Sequence, residues 1–156
     1  MPKIRKIISG GQTGADRAAF DFALENGIGI SGFIPKKRRA EDGRIPDKYE
    51  DLIETETEDY AERTRLNVEN SDATLILSHG ELKGGSLLTR ELAEKCEKPF
   101  LHIDLNAASV EKAVGKTRKW LASINCENLN IAGPRASEDP LIYGRTKEFL
   151  QRLFNG

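Results

Sequence analysis

The sequence predicts an α/β fold, a mostly parallel sheet of about five strands with helices on both faces. Three observations carry this. Short apolar runs alternate with longer segments of helical period. The run Leu75-Ile76-Leu77 lacks in–out alternation, as expected of a strand covered on both faces. Glycine-bearing loops follow predicted strands and lead into predicted helices at Gly10-Gly11-Gln12-Thr13-Gly14, Gly84-Gly85-Ser86 and Gly133-Pro134-Arg135-Ala136-Ser137.

In chain order, residues 4–9 read as a short buried strand. Residues 14–26 read as a helix, because Ala15, Ala18, Ala19, Phe22 and Ala23 recur at i, i+3, i+4, i+7 and i+8. Asn26-Gly27 stops it. A strand at 29–33 ends at Pro35, and a long polar loop runs from there to about Glu58. Long loops of this kind tend to be functional or mobile. A mostly polar helix covers 59–70, a buried strand 73–77 and a helix 85–96, with Leu88, Leu92 and Ala93 inward. Strand 100–104 follows Lys98-Pro99, and helix 109–124 carries Val110, Ala113, Val114, Trp120, Leu121 and Ile124 on one stripe. The last strand is 128–132. The closing helix, 139–154, turns Ile142, Phe149, Leu150 and Leu153 inward.

The 156 residues suffice for one domain spanning 1–156 and are too few for two ordinary ones. Apolar content of 38% and charged content of 31% fit a globular chain. A formal net charge of -1 gives no global field that would attract nucleic acid or an anionic membrane. No apolar run approaches the length of a membrane span, and Met1-Pro2-Lys3-Ile4-Arg5 leads into a strand rather than a signal peptide. Cys96 and Cys126 stand far apart, and His79 and His102 are poor material for a metal centre. The expectation is a reducing, cytoplasmic location and no metal site.

In parallel sheets ligands bind beyond the carboxyl ends of the strands, near a switch in strand order. All three glycine loops follow strands, so all three should open on that edge. The amides of a helix's first turn, with the positive end of its dipole, favour an anion there. The first loop is not a P-loop, since Ala15-Asp16 follows Gly14 where Lys-Ser/Thr would stand. Gly10, Gly11, Gln12, Thr13 and Gly14 are therefore read as a phosphate cradle, helped by the Thr13 or Ser9 hydroxyl. The alternative is a tight turn with Thr13 as helix cap. Asp16 either bonds a ribose hydroxyl or complements the helix dipole. Arg17 reads as a solvated surface arginine. In the basic run Lys36-Lys37-Arg38-Arg39, one or two cations face the phosphate, Lys36 and Arg39 first; otherwise Glu41 and Asp42 pair with the run. Arg63, Thr64 and Asn67 share a helix face. At the second loop, Gly84, Gly85, Ser86 and Thr89 hold a second anionic group, and Glu91 lies further along the same helix.

These motifs occur together in a recognisable order. Ile8-Ser9-Gly10-Gly11-Gln12-Thr13-Gly14-Ala15-Asp16 is followed by Pro35-Lys36, Arg39-Ala40-Glu41-Asp42-Gly43 and Ile45-Pro46. Next come Tyr60-Ala61-Glu62-Arg63-Thr64, Asn67-Val68, Ser71-Asp72 and Leu75-Ile76-Leu77. Gly84-Gly85-Ser86 and Ala132-Gly133-Pro134-Arg135 complete the set. Over nearly its whole length the chain resembles the molybdenum carrier family, the circularly permuted YpsA-like branch of the SLOG superfamily. It departs from the family pattern in having Phe33-Ile34 where Trp-Cys is usual and Ser86 in place of threonine.

The resemblance implies a Rossmann-like three-layer sandwich that binds a nucleotide or nucleotide-derived ligand, with the molybdenum cofactor as one candidate, and a homodimer. The expected activity is binding of a small phosphate-bearing molecule rather than catalysis. The runner-up is a phosphoribohydrolase-like N-glycoside hydrolase acting on a nucleoside monophosphate. Related hydrolases carry Pro-Gly-Gly-x-Gly-Thr-x-x-Glu, against Lys83-Gly84-Gly85-Ser86-Leu87-Leu88-Thr89-Arg90-Glu91 here. Glu91 would then stabilise the oxocarbenium-like state. A third reading is a nucleotide-sensing domain that acts with a partner protein.

Overall fold

The computed structural model describes residues 3–155; Met1 and Pro2, read above as the lead into the first strand, lie outside the described residues. The chain runs β1 (Lys6–Ile8), α1 (Ala15–Glu25), β2 (Gly29–Ser31), β3 (Phe33–Ile34), β4 (Arg39–Ala40), β5 (Gly43–Arg44), β6 (Ile53–Glu54) and α2 (Tyr60–Glu69). It continues through β7 (Ala73–Ser78), α3 (Gly84–Lys95), β8 (Phe100–Asp104), α4 (Val110–Ser123), β9 (Asn128–Ala132) and α5 (Ile142–Asn155). The central sheet has five strands in the order β2-β1-β9-β7-β8, and every pairing in it is parallel. Strand β7 is buried at all six positions, which accounts for its unbroken apolar run.

The strand order places the helices. The crossover from β1 to β2 moves one way along the sheet and that from β7 to β8 the other way. Right-handed crossovers therefore put α1 and α3 on opposite faces. Helix α1 packs on α5, which also packs on α4, and α2 packs on α3. The result is the expected three-layer α/β sandwich. The buried core includes Phe20, Phe22, Leu75, Leu77, Leu121, Leu129, Ile131 and Phe149. Among the described residues no helix is long and apolar enough to cross a membrane.

Two segments differ from expectation. The predicted strand 29–33 breaks at Gly32, where φ is 148° and an added Cβ would lie 2.1 Å from the Ser9 carbonyl oxygen. Glycine lets the chain leave the sheet there, and β3 pairs instead with β6. The stretch 35–58 is also more than a loop. It makes a 3-10 turn at Lys36–Arg38 and a β4–β5 hairpin, pairing Arg39 with Arg44 and Ala40 with Gly43. Buried Ile45 and Tyr49 join this segment to the core. Arg38 staples it by donating to the carbonyls of Ile45, Pro46 and Tyr49 at 3.0, 2.7 and 3.0 Å.

Candidate functional site

Strands β9 and β7 are neighbours, but the helices that follow them leave on opposite faces. Their loops diverge and leave a crevice at the carboxyl edge of the sheet, the place where such folds bind ligands. Two adjoining cavities occupy it. One, of about 220 Å³, is lined by Gln12, Asp16, Tyr60, Arg63, Gly84, Gly85, Thr89 and Arg135, among others. The other, of about 510 Å³, lies beyond the ends of β7 and β8, and both share Ser86, Pro134 and Glu138.

Helix α3 begins in the smaller cavity without a side-chain cap, since Lys83 at its N-cap contributes only backbone. Ser86 N–H turns back to the Lys83 carbonyl at 3.1 Å, whereas the amides of Gly84 and Gly85 have no acceptor among the described residues. A Cβ added at Gly85 would meet nothing within 4 Å. Two free amides at a helix start, with open space in front of them, have the geometry that favours an anion. Ser86 is buried at the boundary of the two cavities, and its hydroxyl makes no hydrogen bond to a described residue. Thr89, also buried, donates to the Gly85 carbonyl at 2.8 Å.

Arg63 reaches in from α2. Its Nη1 donates to Asp16 Oδ2 at 2.9 Å, and the two side chains are only 13% and 7% exposed. The guanidinium carbon lies 5.5 Å from the centre of the Tyr60 ring, and that of Arg39 lies 4.7 Å from the same ring. Arg63 Nε is buried without a partner. Gly10 makes room for this side chain: a Cβ there would sit 1.8 Å from Arg63 Nη1. Burial pushes the Asp16 carboxyl above its ordinary range, against the opposing pull of Arg63 and of the Gln12 amide.

The first glycine loop faces inward, which corrects its reading as a phosphate cradle. The Gly11 amide donates to Ser9 Oγ, that of Gln12 to Asp16 Oδ2, and that of Thr13 to Gln12 Oε1, at 3.2, 3.2 and 3.1 Å. A Cβ at Gly11 would lie 2.8 Å from Ile45, and one at Gly14 would lie 2.4 Å from the Pro134 oxygen. Of this segment, only Gln12 and Asp16 line the smaller cavity. The β4–β5 hairpin reaches over Gln12 and Thr13 through Glu41, while Arg63 covers Gly10 and the turn at Pro134 covers Gly14. Thr13 donates to Glu41 instead of capping α1, and its hydroxyl accepts from the Ala136 amide at 3.1 Å. Glu41 also accepts from Ser137, and these bonds with the charge of Arg135 outweigh burial and hold its carboxyl below the ordinary range. Arg17 is no solvated arginine. It grips Asp42 with two hydrogen bonds of 2.7 and 2.8 Å and donates to the Gly11 carbonyl at 2.9 Å. Glu41 and Asp42 thus pair with Arg135 and Arg17, not with the basic run.

Other expected site residues lie apart from the cavities. Asn67 is buried and clamps the Phe33 backbone, donating to its carbonyl at 2.9 Å and accepting from its amide at 2.7 Å. Lys36 is exposed and lines neither cavity. Arg39 donates to the Glu58 carbonyl at 3.2 Å and meets the cavity only through Tyr60. Glu91 is exposed on α3 and lines neither cavity, so it does not stand where the glycoside-hydrolase reading requires it. Sequence reasoning missed Tyr60, Arg135 and Glu138 as wall residues, and His79 and Asp139 in the larger cavity. The third glycine loop was the available signal, because a loop opening on the ligand edge brings its flanking residues with it. Among the described residues no group of three or more His, Cys, Asp or Glu side chains is placed to hold a metal ion.

Comparison with known proteins agrees with this architecture. No curated protein matches the chain. A crystal structure titled "Putative molybdenum carrier protein", from Syntrophus aciditrophicus, is 54% identical over 97% of this chain and 96% of its own, with a TM-score of 0.95. The family model for the circularly permutated YpsA SLOG family matches residues 7–154. With nearly all of its length matched, the chain belongs to the circularly permutated YpsA SLOG family.

Proposed function

We propose that this protein binds a small phosphate-bearing, nucleotide-like ligand at the carboxyl edge of its sheet. The observation that carries the reading is the convergence of two free amides, Gly84 and Gly85, with Arg63 on one cavity. The amides accept an anionic oxygen through the helix start, and the guanidinium supplies charge beside a phenol ring. The related crystal structure is named as that of a molybdenum carrier, which adds molybdenum as a candidate cargo. Without a cluster of metal-ligating side chains among the described residues, molybdenum would travel as an oxyanion or inside a larger cofactor held by its phosphate. Either species presents anionic oxygens to Gly84 and Gly85.

Thermal denaturation with nucleoside monophosphates, a pterin phosphate, inorganic pyrophosphate and molybdate tests the reading. A ligand at a hundredfold its Kd adds about 2.7 kcal/mol, a rise in Tm of about 5–10 °C for a chain of this size. The expected result is such a rise with at least one phosphate-bearing compound. A melting temperature unmoved by every phosphate refutes the reading, and a response to molybdate alone makes the oxyanion the ligand.

A further inference from the structure

The smaller cavity, at about 220 Å³, lies below the roughly 300–1,000 Å³ of ordinary small-molecule pockets, whereas the adjoining space of about 510 Å³ lies within that range. The two meet across Ser86, so a ligand held at Gly84 and Gly85 has its remaining body directed into the larger space. That space differs in chemistry. Leu105, Val110 and Phe149 give it an apolar wall, and four carboxylates (Glu81, Glu138, Asp139, Glu148) outnumber the cations Lys83 and Arg145. It repels a second anion and suits an uncharged ring.

One group there is held in a fixed orientation. His79 Nδ1 lies 2.6 Å from Asp139 Oδ2, and both side chains are largely buried, at 19% and 16% exposure. Asp139 Oδ1 accepts the Leu141 amide at 3.0 Å, which fixes the carboxylate's orientation. An ionised carboxylate only accepts, so when the imidazole is neutral its proton sits on Nδ1 and Nε2 is left as an acceptor. Nε2 has no hydrogen-bond partner among the described residues, and His79 lines the cavity.

We propose that the larger cavity is the second half of the ligand site and takes a donor-bearing heteroaromatic ring read by His79, with Asp139 as the positioning residue that sets the imidazole tautomer. This rests on the phosphate reading above and narrows the ligand to an anionic group joined to an uncharged ring with an exocyclic amino donor.

Calorimetric titration at mildly alkaline pH, which disfavours the doubly protonated form of any imidazole, compares ligands differing by one amino group. AMP is set against purine riboside 5′-monophosphate and GMP against IMP, with inorganic pyrophosphate as the ring-free control. In the wild type the amino-bearing member of at least one pair binds about tenfold tighter, the worth of one hydrogen bond. Asp139→Asn keeps the Leu141 contact through its carbonyl and turns an NH₂ toward Nδ1. The imidazole proton then moves to Nε2, and the preference disappears or reverses. His79→Phe retains a ring of similar shape without the acceptor and reduces each amino-bearing ligand to the level of its counterpart. Pyrophosphate binds all three proteins alike. Equal affinity within both pairs, or a preference that survives Asp139→Asn, overturns the proposal while leaving phosphate binding intact. Failure of pyrophosphate and of every nucleotide to bind overturns the underlying reading as well.

Discussion

Arg63→Ala is expected to lower folding stability by about 3–5 kcal/mol at neutral pH, because it leaves a buried carboxylate without its partner. Asp16 is 7% exposed, and Arg63 Nη1 at 2.9 Å is the cation bonded to it. The pH dependence has a definite sign. Burial already raises the Asp16 carboxyl, and Arg63 is the main influence holding it down. Without Arg63 that pKa rises further, so the folded variant binds a proton that the unfolded chain, titrating near an ordinary 3.9, has already lost. The variant's deficit therefore shrinks as pH falls from neutral toward that ordinary value. Urea unfolding across this range, for wild type and variant, checks it. Adding Asp16→Asn should recover part of the loss at neutral pH, since the stranded charge is gone. A deficit that is constant with pH would mean that Asp16 is not the cause.

Gly14→Ala should destabilise the fold by about 2–6 kcal/mol, combining backbone strain with overpacking, and Gly133→Ala by about 1–3 kcal/mol through overpacking alone. Gly14 has φ 82°, and its missing Cβ would lie 2.4 Å from the Pro134 oxygen. At Gly133 the clash is with the Leu77 carbonyl oxygen at 2.5 Å and Ala15 Cβ at 2.6 Å. These contacts are the meeting point of the turns after β1 and β9 with the end of β7. The opposing atoms are backbone or, at Ala15, a Cβ fixed to it, so no side chain can swing away. Gly115→Ala is the control of opposite sign. It lies within α4, where an added Cβ meets nothing within 4 Å, and it should gain up to about 1 kcal/mol from helix propensity. Equilibrium unfolding of the three variants should order them Gly115→Ala above wild type, with the other two below.

The elements legible in the sequence were those whose burial is local. Phe100–Asp104 and Asn128–Ala132 match the predicted bounds, and β7 extends its own by one residue to Ser78; β7 holds an apolar run, and β8 and β9 carry Leu and Ile between turn residues. Helix α5 begins at Ile142, not 139, because Asp139 forms a turn with Leu141 ahead of it. The stretch 35–58 could not be read so. Its two-residue strands β3 and β6 pair across an intervening hairpin, and β6 is exposed at both positions. The anchors Ile45 and Tyr49 stand singly, with no period to reveal them.

The site shows the same division. Gly84-Gly85-Ser86 reads as a glycine loop between a strand and a helix, and α3 begins at Gly84. Gly10-Gly11-Gln12-Thr13-Gly14 looks similar in sequence, yet its glycines admit Arg63, Ile45 and Pro134 rather than a ligand. Glycine allows close approach without naming what approaches, and here the approaching groups come from distant parts of the chain. Asn67 likewise sits on the predicted helix face, but its partner is the Phe33 backbone.

Gly85→Asp tests the central claim most directly, because its two expected effects have opposite signs. The position has no positive φ and open space before it, so the side chain fits without strain. An acid in the first turn of α3 favours the helix dipole and should raise the melting temperature of the free protein slightly, through about 0.3–1 kcal/mol. The same carboxylate occupies and repels the anion site. Calorimetric titration with AMP and inorganic pyrophosphate should find binding to the wild type and none to Gly85→Asp, in a variant at least as stable as its parent. Undiminished binding in a folded Gly85→Asp protein would contradict the assignment of the α3 start as the place where the ligand's phosphate is held.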